Sequence, residues 1–173
     1  MTRSITVLFS LLASGALFAQ SQQAVRDQIF GETDVVKKQA DDLNAKMLAP
    51  ESYAEGMEVY LSAVDTMEKG KDLDSVREDL AEAKGFFQKS VDTSQLARTT
   101  FSVALAARAA AEKAESAKYA ARDWADAEET LTDAAATLEG GNLNKATKNA
   151  GDALEQYRKA ESAAIAGKAR AAQ

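Results

Sequence analysis

The sequence predicts an all-α protein, an elongated antiparallel helical bundle built from two three-helix repeats. Three observations carry that expectation. The composition is Ala-rich and Pro-poor, with one Pro in 173 residues, 46% hydrophobic but only 6% aromatic residues, and 28% charged residues. Such a mixture favours long helices over sheets. Apolar positions step by three and four along most of the chain, and no stretch shows the strict alternation of a half-buried strand. Finally, the chain matches itself at a spacing of about 71 residues, the mark of an internal repeat.

The first element is an address. Met1–Arg3 gives a charged start, Ser4–Phe18 is an uncharged and mostly apolar run, and Ala19, Gln20, Ser21 and Gln22 follow. This is the layout of a secretory signal peptide, with the cut expected after Ala19 although Leu17 is large for the position three residues back. The polar residues from Gln20 to Gln23 end the apolar run short of the roughly 20 residues that a membrane span needs. No membrane span is therefore expected in the mature chain, and the location it implies is periplasmic or secreted. Without a Cys at the cut, lipid attachment is not expected.

Residues 20–92 read as the first helical repeat and 93–166 as the second. Phe30 matches Phe101, Ala40 matches Ala111, Tyr53 matches Trp124, Ala63 matches Ala134 and Gly70 matches Gly141. Past that glycine the spacing falls by one, and Leu73, Val76, Leu80, Ala83 and Phe87 match Leu143, Ala146, Ala150, Ala153 and Tyr157. These last sets step by 3, 4, 3 and 4, which places them on one stripe of a helix. Glu55, Glu58, Asp65, Glu68, Lys71, Arg77, Glu78 and Glu82 form an opposing solvated face.

Punctuation divides each repeat into three helices, at about 22–48, 52–69, 73–91, 94–120, 123–139 and 143–166. Pro50 breaks the first helix and opens the second. Ala121 stands in its place in the second repeat, where only a bend is expected. Gly70 and Gly140-Gly141 supply helical-hairpin turns, and Asp92-Thr93-Ser94 reads as a stop and N-cap between repeats. Residues 167–173 read as a flexible basic tail carrying Lys168 and Arg170. The second repeat packs with Ala134, Ala135, Ala146, Ala150 and Ala153 around Trp124, Leu131 and Tyr157, small residues that predict a thin bundle with little room for a cavity.

The absent residue types exclude much chemistry. With no His and no Cys, there is no thiolate or imidazole zinc site, no Cys nucleophile, no Ser-His-Asp triad and no di-iron Glu-x-x-His bundle. Asp72-Leu73-Asp74-Ser75 resembles the opening of a calcium loop, but Arg77 and Ala83 occupy the positions where Gly and Glu are required. Helix capping explains those acids better. Gly70-Lys71 lacks the upstream glycine and strand of a phosphate loop, and Glu128 and Glu129 point to different sides of a helix. No catalytic residue, metal or cofactor is expected. The net charge of −6 argues against nucleic acid, which needs a concentrated basic surface.

Two sets of residues remain as candidate contacts. Trp124 reads as a core anchor at the start of a helix, with a partner contact as the alternative, and Tyr119, outside the stripes, is the better surface candidate. Tyr53, Tyr60, Phe86 and Phe87 are the residues that a cleft between the two repeats would use. The Ala-rich run Val103–Ala121 is expected to be buried between helices, or else offered to a second copy as a coiled coil.

The second repeat also carries a family pattern. Tyr119-Ala120-Ala121-Arg122-Asp123-Trp124-Ala125-Asp126-Ala127, then Leu131, Ala134, Leu138, Gly140-Gly141, Ala146, Ala150, Ala153 and Ala160, resembles an uncharacterised family of Ala-rich helical domains of the bacterial cell envelope. Leu48-Ala49-Pro50-Glu51-Ser52-Tyr53, Leu61 and Gly70 form a poorer copy. The resemblance implies an exported protein and names no catalytic residue. Family members are often lipoproteins or joined to an OmpA-like peptidoglycan-binding domain. This chain shows neither feature, so peptidoglycan binding is not carried over. The expected role is a non-enzymatic scaffold or adaptor that contacts another envelope protein or itself. The alternative is a small-ligand or lipid carrier with a site between the repeats.

Overall fold

The computed structural model describes residues 12–70 and 72–173, with side chains from Ala24 onward. The expected signal peptide, residues 1–19, falls outside the described side chains. Among the described residues eight helices follow one another: α1 (Leu12–Asp42), α2 (Ala45–Leu48), α3 (Pro50–Glu68), α4 (Leu73–Thr100), α5 (Ser102–Lys113), α6 (Ser116–Tyr119), α7 (Ala121–Glu139) and α8 (Leu143–Ala171). Among the described residues there is no strand, and no helix is long and apolar enough to cross a membrane. The chain is an all-α bundle.

Two cores account for the packing. The first gathers Phe30, Ala40, Tyr60, Ala63, Val76, Leu80, Ala83 and Phe87 from α1, α3 and α4. The second gathers Phe101, Ala104, Leu131, Ala134, Ala146, Ala153 and Tyr157 from α5, α7 and α8 and the joint before α5. These are the stripe positions of the two repeats, so the periodicity sorts side chains correctly. The Ala-rich run packs α5 along α8, with Ala104 and Ala111 buried; small side chains allow the close approach.

Backbone geometry repeats with the sequence. Asn44 and Glu115 are the described non-glycine residues in the left-handed region, at φ 57° and 62°, and Gly70 and Gly141 are the glycines there, at 63° and 81°. Both pairs are 71 residues apart. Each left-handed residue ends a long helix and starts a one-turn helix, α2 or α6, whose last carbonyl-bonded residue is Ala49 or Ala120. These elbows were not expected: helices were predicted to run unbroken over 22–48 and 94–120. Nor does Pro50 make the first elbow sharper than the second. Ala49 sits at φ −149°, ψ 61° and Ala120 at φ −143°, ψ 46°, so the proline-free joint has the same shape. Each elbow therefore has two breaks, the left-handed residue and the non-helical Ala before α3 or α7; the expected break at Ala49-Pro50 is present, and the same break forms at Ala120 without a proline.

The boundary expected at Asp92-Thr93-Ser94 is also corrected. α4 runs through it, because Ser90, Val91, Ser94 and Ala97 continue the buried stripe. Burial overrides the capping preference of a Ser. The interruption comes instead at Phe101 (φ −101°, ψ 17°), a single non-helical residue from which α5 continues. At the other end α8 stays helical to Ala171, through the stretch read as a flexible tail, and Lys168 and Arg170 lie in its last turn, where cations offset the helix dipole.

The two units meet end to end. Glu139, the last residue of α7, accepts hydrogen bonds from the backbone N–H of Glu51 (2.8 Å) and Ser52 (3.0 Å) at the start of α3. A carboxylate at a helix N-terminus satisfies orphan donors and meets the positive end of the dipole, worth about 1 kcal/mol. In exchange Leu48 of α2, 2% exposed, enters the second core beside Ala97 and Phe101. Each unit therefore supplies a group that completes the other. α3 stacks above α7, while α4 passes from the first unit into α5 of the second.

Candidate functional site

In the first unit the aromatic residues close on one another. Tyr60 meets Phe30 edge-on at 5.6 Å and Phe87 at 6.2 Å, and Tyr53 meets Phe87 at 5.9 Å. Their hydroxyls are used. Tyr60 donates to Asp34 (2.6 Å) and accepts from Arg26 (3.0 Å), whose guanidinium lies over the Phe30 ring. Tyr53 donates to Asp41 (2.5 Å), which also takes an ion pair from Lys37. Burial, reinforced by the Asp41 carboxylate, pushes the Tyr53 phenol up to about 12. Burial and Asp34 raise Tyr60 in the same sense.

The second unit holds the corresponding aromatic pair. Trp124 meets Tyr157 at 5.6 Å with planes at 61°, against 60° for Tyr53 and Phe87. Arg108 occupies the position of Lys37 and lies over the Trp124 ring at 5.3 Å. It makes a two-pronged bond to Glu128, at 2.7 and 3.0 Å, and the Tyr157 hydroxyl donates to the same carboxylate. Two-pronged Arg–carboxylate bonds fix geometry as well as charge. Burial and then Glu128 raise the Tyr157 phenol, and Glu128 above all raises Arg108. The network is closed, since each group satisfies another.

Tyr60 and Phe87 pack in the core of the first unit with Tyr53 against them, and Phe86 is half-buried. Trp124 is half-buried against the second core, its face taken by Arg108 and its edge by Tyr157. Tyr119 is half-buried at the far elbow, with the Lys118 ammonium 4.8 Å from its ring centre. The sequence reading does not single out Arg108, and it weighs Glu128 only as a neighbour of Glu129 and sets it aside. One signal was available: Arg108 is the lone charge in the run Val103–Ala111.

Two surface features stand out. A groove of about 410 Å³ lies between α1 and α4, lined by Val25, Ile29, Thr33, Leu73, Arg77 and Lys84. Both of its cations are paired, Arg77 with Asp74 and Lys84 with Glu32. The other is the elbow end of the second unit, formed by α6, the start of α7 and the end of α8. Among the described residues no group of three carboxylates is placed to hold a metal ion. The chain matches no known protein-family profile, no curated protein and no solved structure.

Proposed function

We propose that this chain is an exported helical scaffold or adaptor of the bacterial cell envelope, working by contact and not by catalysis. The observation that carries the reading is the junction between its units. There a helical hairpin end recognises the elbow end of a similar unit through a carboxylate on a helix N-terminus and an apolar plug. A chain that joins helical units in this way is suited to joining another protein. The signal-like leader and the likeness of the second unit to cell-envelope helical domains support the compartment. Tyr53, Tyr60, Trp124 and Tyr157 are engaged in or against the two cores, with Asp41, Asp34, Arg108 and Glu128 as their polar partners.

A small-ligand or lipid carrier is the second reading, favoured by the groove between α1 and α4. Cross-linking in intact cells, followed by purification from the envelope fraction, separates the two. The scaffold reading expects a discrete protein partner. A bound small molecule in native mass spectra, with no protein partner, would overturn it.

A further inference from the structure

The elbow end of the second unit is an unfilled copy of the surface that Glu139 and the second core cover in the first. Residue by residue, Leu48, Ala49, Glu51 and Ser52 correspond to Tyr119, Ala120, Arg122 and Asp123. Leu48, Ala49 and Ser52 are buried, whereas Tyr119, Ala120 and Asp123 are half-exposed. The difference is the cover that the second unit lays on the first. Among the described residues no hydrogen bond reaches the backbone N–H of Arg122 or Asp123, the positions equivalent to those that Glu139 caps.

Charge says what kind of surface belongs there. At the internal junction Met47 packs against the second core and Glu51 gives its N–H to Glu139; their counterparts at the open end are Lys118 and Arg122, while the acids there, Glu115 and Asp123, are already paired with Lys168 and Lys159. Neither Lys118 nor Arg122 has a salt bridge among the described residues, in a chain whose net charge is −6. They add to the positive end of the α7 dipole. A neutral or basic partner gains nothing from this arrangement, whereas an acidic one gains charge complementarity.

We propose that this end docks the acidic turn of a helical hairpin in another envelope protein. That turn sets a carboxylate on the N–H groups of Arg122 and Asp123 and receives the Tyr119 ring among its apolar residues. The proposal deepens the scaffold reading and rests on it. A second copy of this chain is not the occupant. Glu68 stands in the first unit where Glu139 stands in the second, but residues 24–30 of α1 hold the place that residues 165–171 of α8 would have to take. Head-to-tail stacking with the internal geometry is therefore blocked.

The test places benzoylphenylalanine, a photo-cross-linker, at position 119 of the full chain in cells, with the same residue at position 61 as control. Leu61 is 56% exposed on α3, in the first unit and outside this surface. The expected result is one discrete adduct from position 119, absent from 61, whose cross-linked peptide contains an Asp or Glu at a helical turn. Arg122→Glu should cut that adduct roughly tenfold, as reversing one interfacial charge pair does, with the helical circular dichroism unchanged. Placing the cross-linker at exposed position 118 repeats the test where a replacement at 119 disturbs the fold. Equal labelling at 119 and 61, or an adduct insensitive to Arg122→Glu, would overturn the proposal, as would a dimer joined through Glu68. A partner trapped at 61 alone overturns this surface and leaves the scaffold reading standing.

Discussion

Gly56 shows how closely single side chains are fitted. A Cβ at that position would stand 2.9 Å from two atoms of the Phe87 ring, whereas the matching site in the second unit carries the fully buried Ala127. Gly56→Ala gains helix propensity of about 1 kcal/mol but must displace a ring with no exposed surface. Overpacking of this kind costs about 1–3 kcal/mol, so a net loss of stability is expected in chemical denaturation. The phenols give a second prediction. Tyr53 and Tyr157 have folded pKa values above the unfolded value near 10, so folding favours their neutral forms. Their contribution is complete below about pH 10 and is lost as pH rises through the folded values, for Tyr53 about 12. Thermal stability should fall steeply over that alkaline window, and the Tyr53→Phe, Tyr157→Phe double variant should show a shallower fall. The network around Tyr157 was only half legible. Trp124 and Tyr157 are visible as repeat matches, but Glu128 has no spacing signal because its partners lie on two other helices.

Among the elements, the elbows decide the shape of each unit. Since Ala120 reproduces the backbone of Ala49 without a following proline, Pro50→Ala should leave the first elbow in place. The expected cost is up to about 1 kcal/mol, from added freedom in the unfolded chain, and amide exchange at Tyr53 should be unchanged. The stripes, the hairpin glycines and the duplication were legible because they follow from residue type. The elbows were not, because the left-handed residue is Asn in one unit and Glu in the other, and Glu gives no hint of that conformation. Ser94 misled for a related reason. A Ser ahead of a new helix and a Ser buried within a long one look alike until the neighbouring helices are known.

For the whole molecule, the junction makes two thin units into one body. Neither core is large, and Ala contributes little area per residue, so each unit draws on the other. Nothing in the sequence marks Glu139 as a cap, because the N–H groups it holds belong to residues 88 and 87 positions away. Leu48→Ala removes a buried side chain from the second core while altering only the first unit's sequence. It should cost about 2–5 kcal/mol and lower the stability reported from the second unit. The most direct test of this coupling uses Trp124, the only Trp in the chain and a reporter for the second unit alone. Urea unfolding followed by Trp124 fluorescence and by helical circular dichroism should give coincident transitions in the native chain and separated ones in the Leu48→Ala, Glu139→Ala double variant. Separate transitions in the native chain would contradict the coupling, and with it the junction on which the account of this protein is built.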